Sequence, residues 1–141
     1  MSLKERIEKV STDLKGTLGV ALKYLATGEE VVINGEVLFP LASVFKVPVI
    51  VTLYRGVEEG KIGLDERVRM TAFSRVPGSG VLKELTPGLE MSVRDYRSLM
   101  MLISDNTATD MTVELVGKEN VNQTMLNLGL KETNITTCRE I

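Results

Sequence analysis

The β-favouring runs of this chain are confined to one place. "TLGVALKYLATGEEVVINGEV", residues 17–37, carries two such runs around a Thr27-Gly28 turn, with a second turn signal at Asn34-Gly35. They read as the two strands of a hairpin. Two strands alone are marginal in water and leave open edges, so the hairpin calls for sheet partners that the remaining periodic segments, all helical, do not offer.

Those helical segments follow in order. Leu3, Ile7, Val10 and Leu14 recur at helical spacing, which predicts an amphipathic first helix ending near Gly16. "SVFKVPVIVTLYRGVEEG", residues 43–60, predicts a second. Its Pro48 is tolerable only in a first turn, where backbone N–H groups have no intrahelical acceptor, so the helix must begin close to Ser43. Residues 61–91, punctuated by Pro77-Gly78-Ser79-Gly80 and Pro87-Gly88, read as connecting loops with short irregular elements. Ser92 with Asp95 forms a capping pair ahead of a helix bearing Tyr96, Leu99, Met100 and Ile103 on one face. That helix stops at Ser104-Asp105-Asn106. Two more end at Gly117 and Gly129, and the tail from Leu130 has no clear period. The fold class is therefore α+β with helices dominant. Most of the methionines read as core filler, and Tyr54 and Tyr96 as packing residues with a hydroxyl at the rim.

Composition removes whole classes of chemistry. The 141 residues suit a single core, and a net charge of -2 with interspersed signs provides no basic stripe for nucleic acid. There is no histidine, and the one cysteine, Cys138, can form neither an internal disulfide nor a zinc site. No run reaches the roughly 18–20 apolar residues of a membrane span. The charged N-terminus lacks the apolar core of a signal peptide, which leaves a cytoplasmic protein or one whose leader was removed. Catalysis, if present, runs on Ser, Lys, Asp, Glu, Tyr or Asn, without metal or cofactor.

Ser43 and Lys46 share a helical face, three residues apart. A serine hydroxyl needs a base beside it, and a lysine flanked by Leu41, Val44, Phe45 and Val47 is desolvated, which favours the neutral, proton-accepting amine. The nearby helix N-terminus would favour an oxyanion. The alternative is structural: Ser43 caps the helix and Lys46 extends to the surface. An S-x-x-K match alone arises by chance in about half of chains this long. Ser104-Asp105-Asn106 likewise reads as a turn plus N-cap, or as a loop offering a hydroxyl and an amide to a substrate above a buried carboxylate. A given tripeptide occurs by chance in only about a few per cent of such chains, so the pair of motifs carries more than either.

"PLASVFKVPVIVTLYRGVEEGKIGLDERV" and "PGSGVLKELTPGLEMSVRDYRSLMMLISDNTATDMTVELVGKENVNQTMLNLGL" resemble the class A serine β-lactamases and related penicillin-binding enzymes, in motif order, spacing and flanking residues. The resemblance implies the β-lactamase-like fold: residues 1–40 as helix and hairpin of an α/β domain, residues 41–141 as most of the helical domain. It implies Ser43 as acyl-forming nucleophile, its N–H as half of an oxyanion hole, and Lys46 as proton acceptor. Ser104 would pass a proton to the β-lactam nitrogen, Asn106 would bind the substrate amide, and Asp105 would hold the loop. The substrate class is a β-lactam or a peptidoglycan-like acyl compound.

Two departures from the family pattern shape the expectation. No K-T-G follows within the 141 residues, so the second oxyanion donor and the cation facing the substrate carboxylate are expected from a C-terminal segment or second chain. The open hairpin edges also predict pairing or swapping with another copy. Moreover, Glu140 stands about where a deacylating glutamate belongs but one position late, with Arg139 at the expected place. Either Glu140 is that base, or the protein is acylated and turns over slowly, as a penicillin-binding or sensor-like protein would, or the chain is a structural fragment that is inactive without its C-terminal segment.

Overall fold

The computed structural model describes residues 1–140. They form two compact units, residues 1–40 and 41–140.

In the first unit, α1 (Leu3–Val10) opens with a reciprocal cap in which the Glu5 N–H donates to Ser2 Oγ and the Ser2 N–H to the Glu5 carboxylate. It ends six residues before the expected Gly16. The Ser11 and Thr12 hydroxyls both fold back on the Glu8 carbonyl, taking the acceptor that another helical turn would need. Strands β1 (Val20–Lys23) and β2 (Glu30–Ile33) pair antiparallel with Val20 opposite Ile33, the hairpin expected from the turn chemistry. Lys23 and Glu30 form a cross-strand ion pair at 2.7 Å. Among the described residues the hairpin has no third strand, and Leu22 and Val32 remain exposed.

The second unit starts with a 3₁₀ turn, Ala42–Phe45, that runs into α2 (Lys46–Glu58). Pro48 is the third residue of that helix, where its missing N–H costs nothing. Residues 61–91 are not only loops. Strand β3 (Arg67–Arg69) pairs antiparallel with β4 (Glu90–Ser92), Val68 opposite Met91. Three residues per strand are too few to display an alternation, and the ribbon is set by tertiary bonds: Tyr96 Oη donates to the Val68 carbonyl, and the Val93 N–H to Glu66. Ser92 caps α3 (Val93–Leu102) with Asp95 as its reciprocal partner, as the sequence predicts.

Helix α4 (Asn106–Val116) is the centre of this unit, with Thr107 through Val113 all buried. A helix buried all round must be enclosed on every side. Here α2, α3, α5 (Lys118–Asn127) and the 3₁₀ turns at 72–74 and 82–84 enclose it. Val49, Leu53, Leu82, Val93, Met100 and Val121 complete the core, with Met70, Met111 and Met125 filling between them. Met101 alone among the core-region methionines of α3 and α4 lies at the surface. Among the described residues, no helix is long and apolar enough to cross a membrane.

Candidate active site

The 3₁₀ turn before α2 places Ser43 on the surface and Lys46 in the interior, where it is 3% exposed. Neither structural alternative describes them: Ser43 caps no helix, and Lys46 does not reach solvent. The Lys46 ammonium donates to Ser104 Oγ at 2.6 Å, the Ser104 carbonyl at 2.9 Å, Asn106 Oδ1 at 3.3 Å and Ser43 Oγ at 3.4 Å. Ser104 Oγ in turn lies 2.9 Å from Ser43 Oγ. The route from the Ser43 hydroxyl to the amine through Ser104 therefore consists of two short hydrogen bonds, whereas the direct contact is a single long one of 3.4 Å.

Burial lowers the pKa of Lys46, because the ammonium loses its hydration. The negative charges of Asp105 and Asp110 oppose that effect. The Cys138 thiol, raised to about 11 chiefly by its own burial, is uncharged at pH 7 and contributes nothing. The Phe45 ring, its centroid 5.8 Å from Nζ, offers limited support to the cation.

Backbone strain sharpens the arrangement. Ala42, just before Ser43, has φ 43°, and Ser104 has φ 57°; such left-handed conformations cost a non-glycine residue about 1–3 kcal/mol each. At Ser104 that conformation turns both carbonyl and hydroxyl onto Lys46. At Ser43, the first turn bond is the Val44 N–H to the Leu41 carbonyl, so the Ser43 N–H precedes it and has no acceptor within the turn.

The Asp105 carboxylate, fully buried, is both the N-cap of α4 and the anchor of the loop at 76–82. It accepts from Ala108 N–H at 2.9 Å, Val81 N–H at 2.6 Å and Leu82 N–H at 2.9 Å. Asn106 is bound to the same loop, its N–H to the Ser79 carbonyl and its Nδ2 to the Pro77 carbonyl, both at 3.0 Å. The loop approaches so closely that a Cβ on Gly78 would stand 2.6 Å from Asn106 Nδ2. Gly78, read from sequence only as turn punctuation, leaves the room in which the Asn106 amide reaches the Pro77 carbonyl.

Ser43, Lys46, Ser104 and Asn106 thus converge, with Asp105 beneath them. Glu140 does not join them. Its carboxylate accepts from the Thr136 hydroxyl, the Thr137 N–H at 2.9 Å and the Lys118 ammonium at 3.0 Å, and these bonds hold its pKa down at about 2. The tail that carries it is fastened by a residue that sequence reasoning passed over. Asp110, 2% exposed, accepts from the Cys138 N–H at 2.7 Å and the Arg139 N–H at 3.2 Å. A carboxylate inside "TATDMTV", flanked by residues that all prove buried, was the available signal.

Residues 2–140 match the model of the beta-lactamase enzyme family. The chain is 31% identical over 135 residues to the extended-spectrum beta-lactamase PER-1 of Pseudomonas aeruginosa, covering 93% of this chain and 44% of that protein. Among solved structures it resembles a beta-lactamase from Sphaerobacter thermophilus, at 35% identity and TM-score 0.86, over 94% of this chain and 49% of the other. It also resembles PBP-A, at 31% identity and TM-score 0.90, over 96% and 52%. A PBP-A mutant has been solved as an acyl-enzyme complex with penicillin G. The chain spans about half the length of the relatives it matches.

Proposed function

The chain belongs to the beta-lactamase enzyme family, and from that premise we propose that Ser43 is the nucleophile of acyl transfer from a β-lactam amide. The observation that carries this reading is the unbroken line of contacts from Ser43 Oγ through Ser104 Oγ to the buried Lys46 amine. In its neutral form Lys46 takes a proton from Ser104 as Ser104 takes one from Ser43, and Ser43 Oγ bonds to the β-lactam carbonyl carbon. The Ser43 N–H faces the oxyanion that develops on the carbonyl oxygen. As the C–N bond breaks, the proton returns through Ser104 to the leaving nitrogen. Asn106, fixed to the loop at 76–82, donates through Nδ2 or accepts through Oδ1 from the amide side chain of the substrate. Water then releases the acyl group from Ser43 as a carboxylic acid.

The bonding of Glu140 favours a second reading for that last step. A carboxylate of pKa about 2, tied to Lys118 and Thr136, is a feeble base and makes no hydrogen bond to the Lys46 cluster. Slow deacylation, as in a penicillin-binding protein, follows from this. The relatives carry about as much chain again, and we take a C-terminal segment or second chain to supply the remaining oxyanion donor and a cation for the substrate carboxylate. The open edges of β1 and β2 suit its strands, or those of another copy.

A denaturing intact-mass measurement after incubation with penicillin G tests the nucleophile. One added penicillin on the chain, lost in Ser43→Ala, is the expected result once the site is complete. An adduct that survives Ser43→Ala overturns the assignment.

A further inference from the structure

At the end of α2 far from Ser43, about 20 Å along the helix, a cavity of about 390 Å³ opens between α2, α4 and α5. Its wall holds two cations, Arg55 and Lys61, one carboxylate, Glu59, and three carboxamides, Asn120, Gln123 and Asn127. Lys61 is bound to Glu59 at 2.6 Å. Glu59 is influenced by Arg55 only through space, and among the described residues the half-buried Arg55 guanidinium has no hydrogen-bond or ion-pair partner. A guanidinium in that position presents a planar fork to an incoming carboxylate.

The carboxamides are each half used. Asn120 Nδ2 donates to the Val116 carbonyl at 2.8 Å and Gln123 Nε2 to Asn127 Oδ1 at 3.0 Å. Each of these NH₂ groups keeps a second N–H, and the side-chain oxygens of Asn120 and Gln123 can accept while the NH₂ of Asn127 can donate, a set that includes the complement of one amide group. Ile62 and Leu115 add apolar wall. The volume falls within the usual range for small-ligand sites.

We propose that this cavity is a second ligand site that takes a small carboxylate bearing a neighbouring amide, such as an N-acylated amino acid or the C-terminal residue of a peptide. Arg55 receives the carboxylate, Asn120 or Gln123 accepts from the amide N–H, and Asn127 donates to the amide carbonyl. Nothing in this assignment depends on the reaction at Ser43.

The test is a titration of the ¹⁵N-labelled chain with N-acetylglycine, followed by amide shifts. Saturable shifts at Gly56, Lys61 and the residues from Asn120 to Asn127 are expected, with Ser43 and Lys46 unmoved. Neutral N-acetylglycinamide should bind at least about tenfold more weakly, as loss of a charge-assisted pair implies. Arg55→Gln should show a similar loss. If that variant loses its dispersed spectrum, the neutral probe and Gln123→Ala, an exposed position, decide the matter. Absence of saturable shifts, equal binding of the neutral probe, or shifts centred on Ser43 overturns the proposal. Equally tight binding of inorganic phosphate would make this a bare anion site and overturn the role of the carboxamides.

Discussion

Asp105→Ala should cost about 4 kcal/mol of stability, a figure that follows from where its three acceptor bonds go. The Val81 N–H belongs to a half-exposed residue and can turn to water, so its loss is cheap. The Leu82 and Ala108 N–H groups belong to residues 1% and 0% exposed, and each is left unsatisfied at about 1–3 kcal/mol. The Ala108 bond is also the N-cap of α4, whose loss lies in the same range. Urea unfolding followed by circular dichroism would read the change as a midpoint lowered by about 2 M. Asp105→Asn keeps either the cap or the loop bonds, depending on which way the amide faces, and should cost about half as much. A second substitution checks the geometry. A Cβ on Gly80 would stand 2.2 Å from Asp105 Cγ, 2.3 Å from Oδ2 and 2.5 Å from its backbone Cα; only the carboxylate part of that clash is relieved in Asp105→Ala, so Gly80→Ala should hurt the native protein more than it hurts Asp105→Ala, by more than about 0.5 kcal/mol. A loss below about 1 kcal/mol for Asp105→Ala would refute the claim that this carboxylate joins loop to helix.

Lys46, its pKa lowered from 10.5 by burial, binds protons less readily folded than unfolded, so its contribution to stability must improve as pH rises from the folded pKa toward 10.5. Lys46→Met should abolish that rise in urea unfolding between pH 7 and 10; an unchanged pH slope would contradict the lowered pKa. In a protein competent for acylation, Lys46→Ala and Ser104→Ala should each slow adduct formation by about a hundredfold or more, read by quenched mass spectrometry. A Ser104→Ala rate near native would return the proton path to the direct 3.4 Å contact. Glu140→Gln should leave the rate of adduct loss within about twofold of native, since its carboxylate bonds Thr136, Thr137 and Lys118 rather than the site; a large decrease would restore Glu140 as the base. Because the Glu140 pKa falls from 4.5 to about 2, its support of the tail is complete above pH 4.5 and fades as pH drops through 2, so the Thr137 amide proton shift should titrate near 2. A midpoint near 4.5 would mean that those bonds do not form.

What could be read from the sequence, and what could not, divides along the range of the interactions. Ser92 with Asp95, Pro48 and Gly117 act within a few residues of themselves, and the helices they delimit lie where their chemistry puts them. Even the early end of α1 is a local matter, decided by Ser11 and Thr12 competing for the Glu8 carbonyl. The β3–β4 ribbon escaped because its pairing spans more than twenty residues and its strands are three residues long. The site divides in the same way. The spacing of Ser43 and Lys46 is local, but what lowers the Lys46 pKa is burial beneath a loop almost sixty residues away, and no periodicity reports that. The glycines of 77–80 illustrate the consequence most clearly. As turn residues they are interchangeable with many others; as the surface against which Asn106 and Asp105 are fixed, Gly78 and Gly80 admit no side chain, because the nearest atoms would lie 2.6 Å and 2.2 Å from it. A glycine whose replacement would be ordinary in an open turn becomes a constraint on the geometry of the candidate site through the residue that it touches.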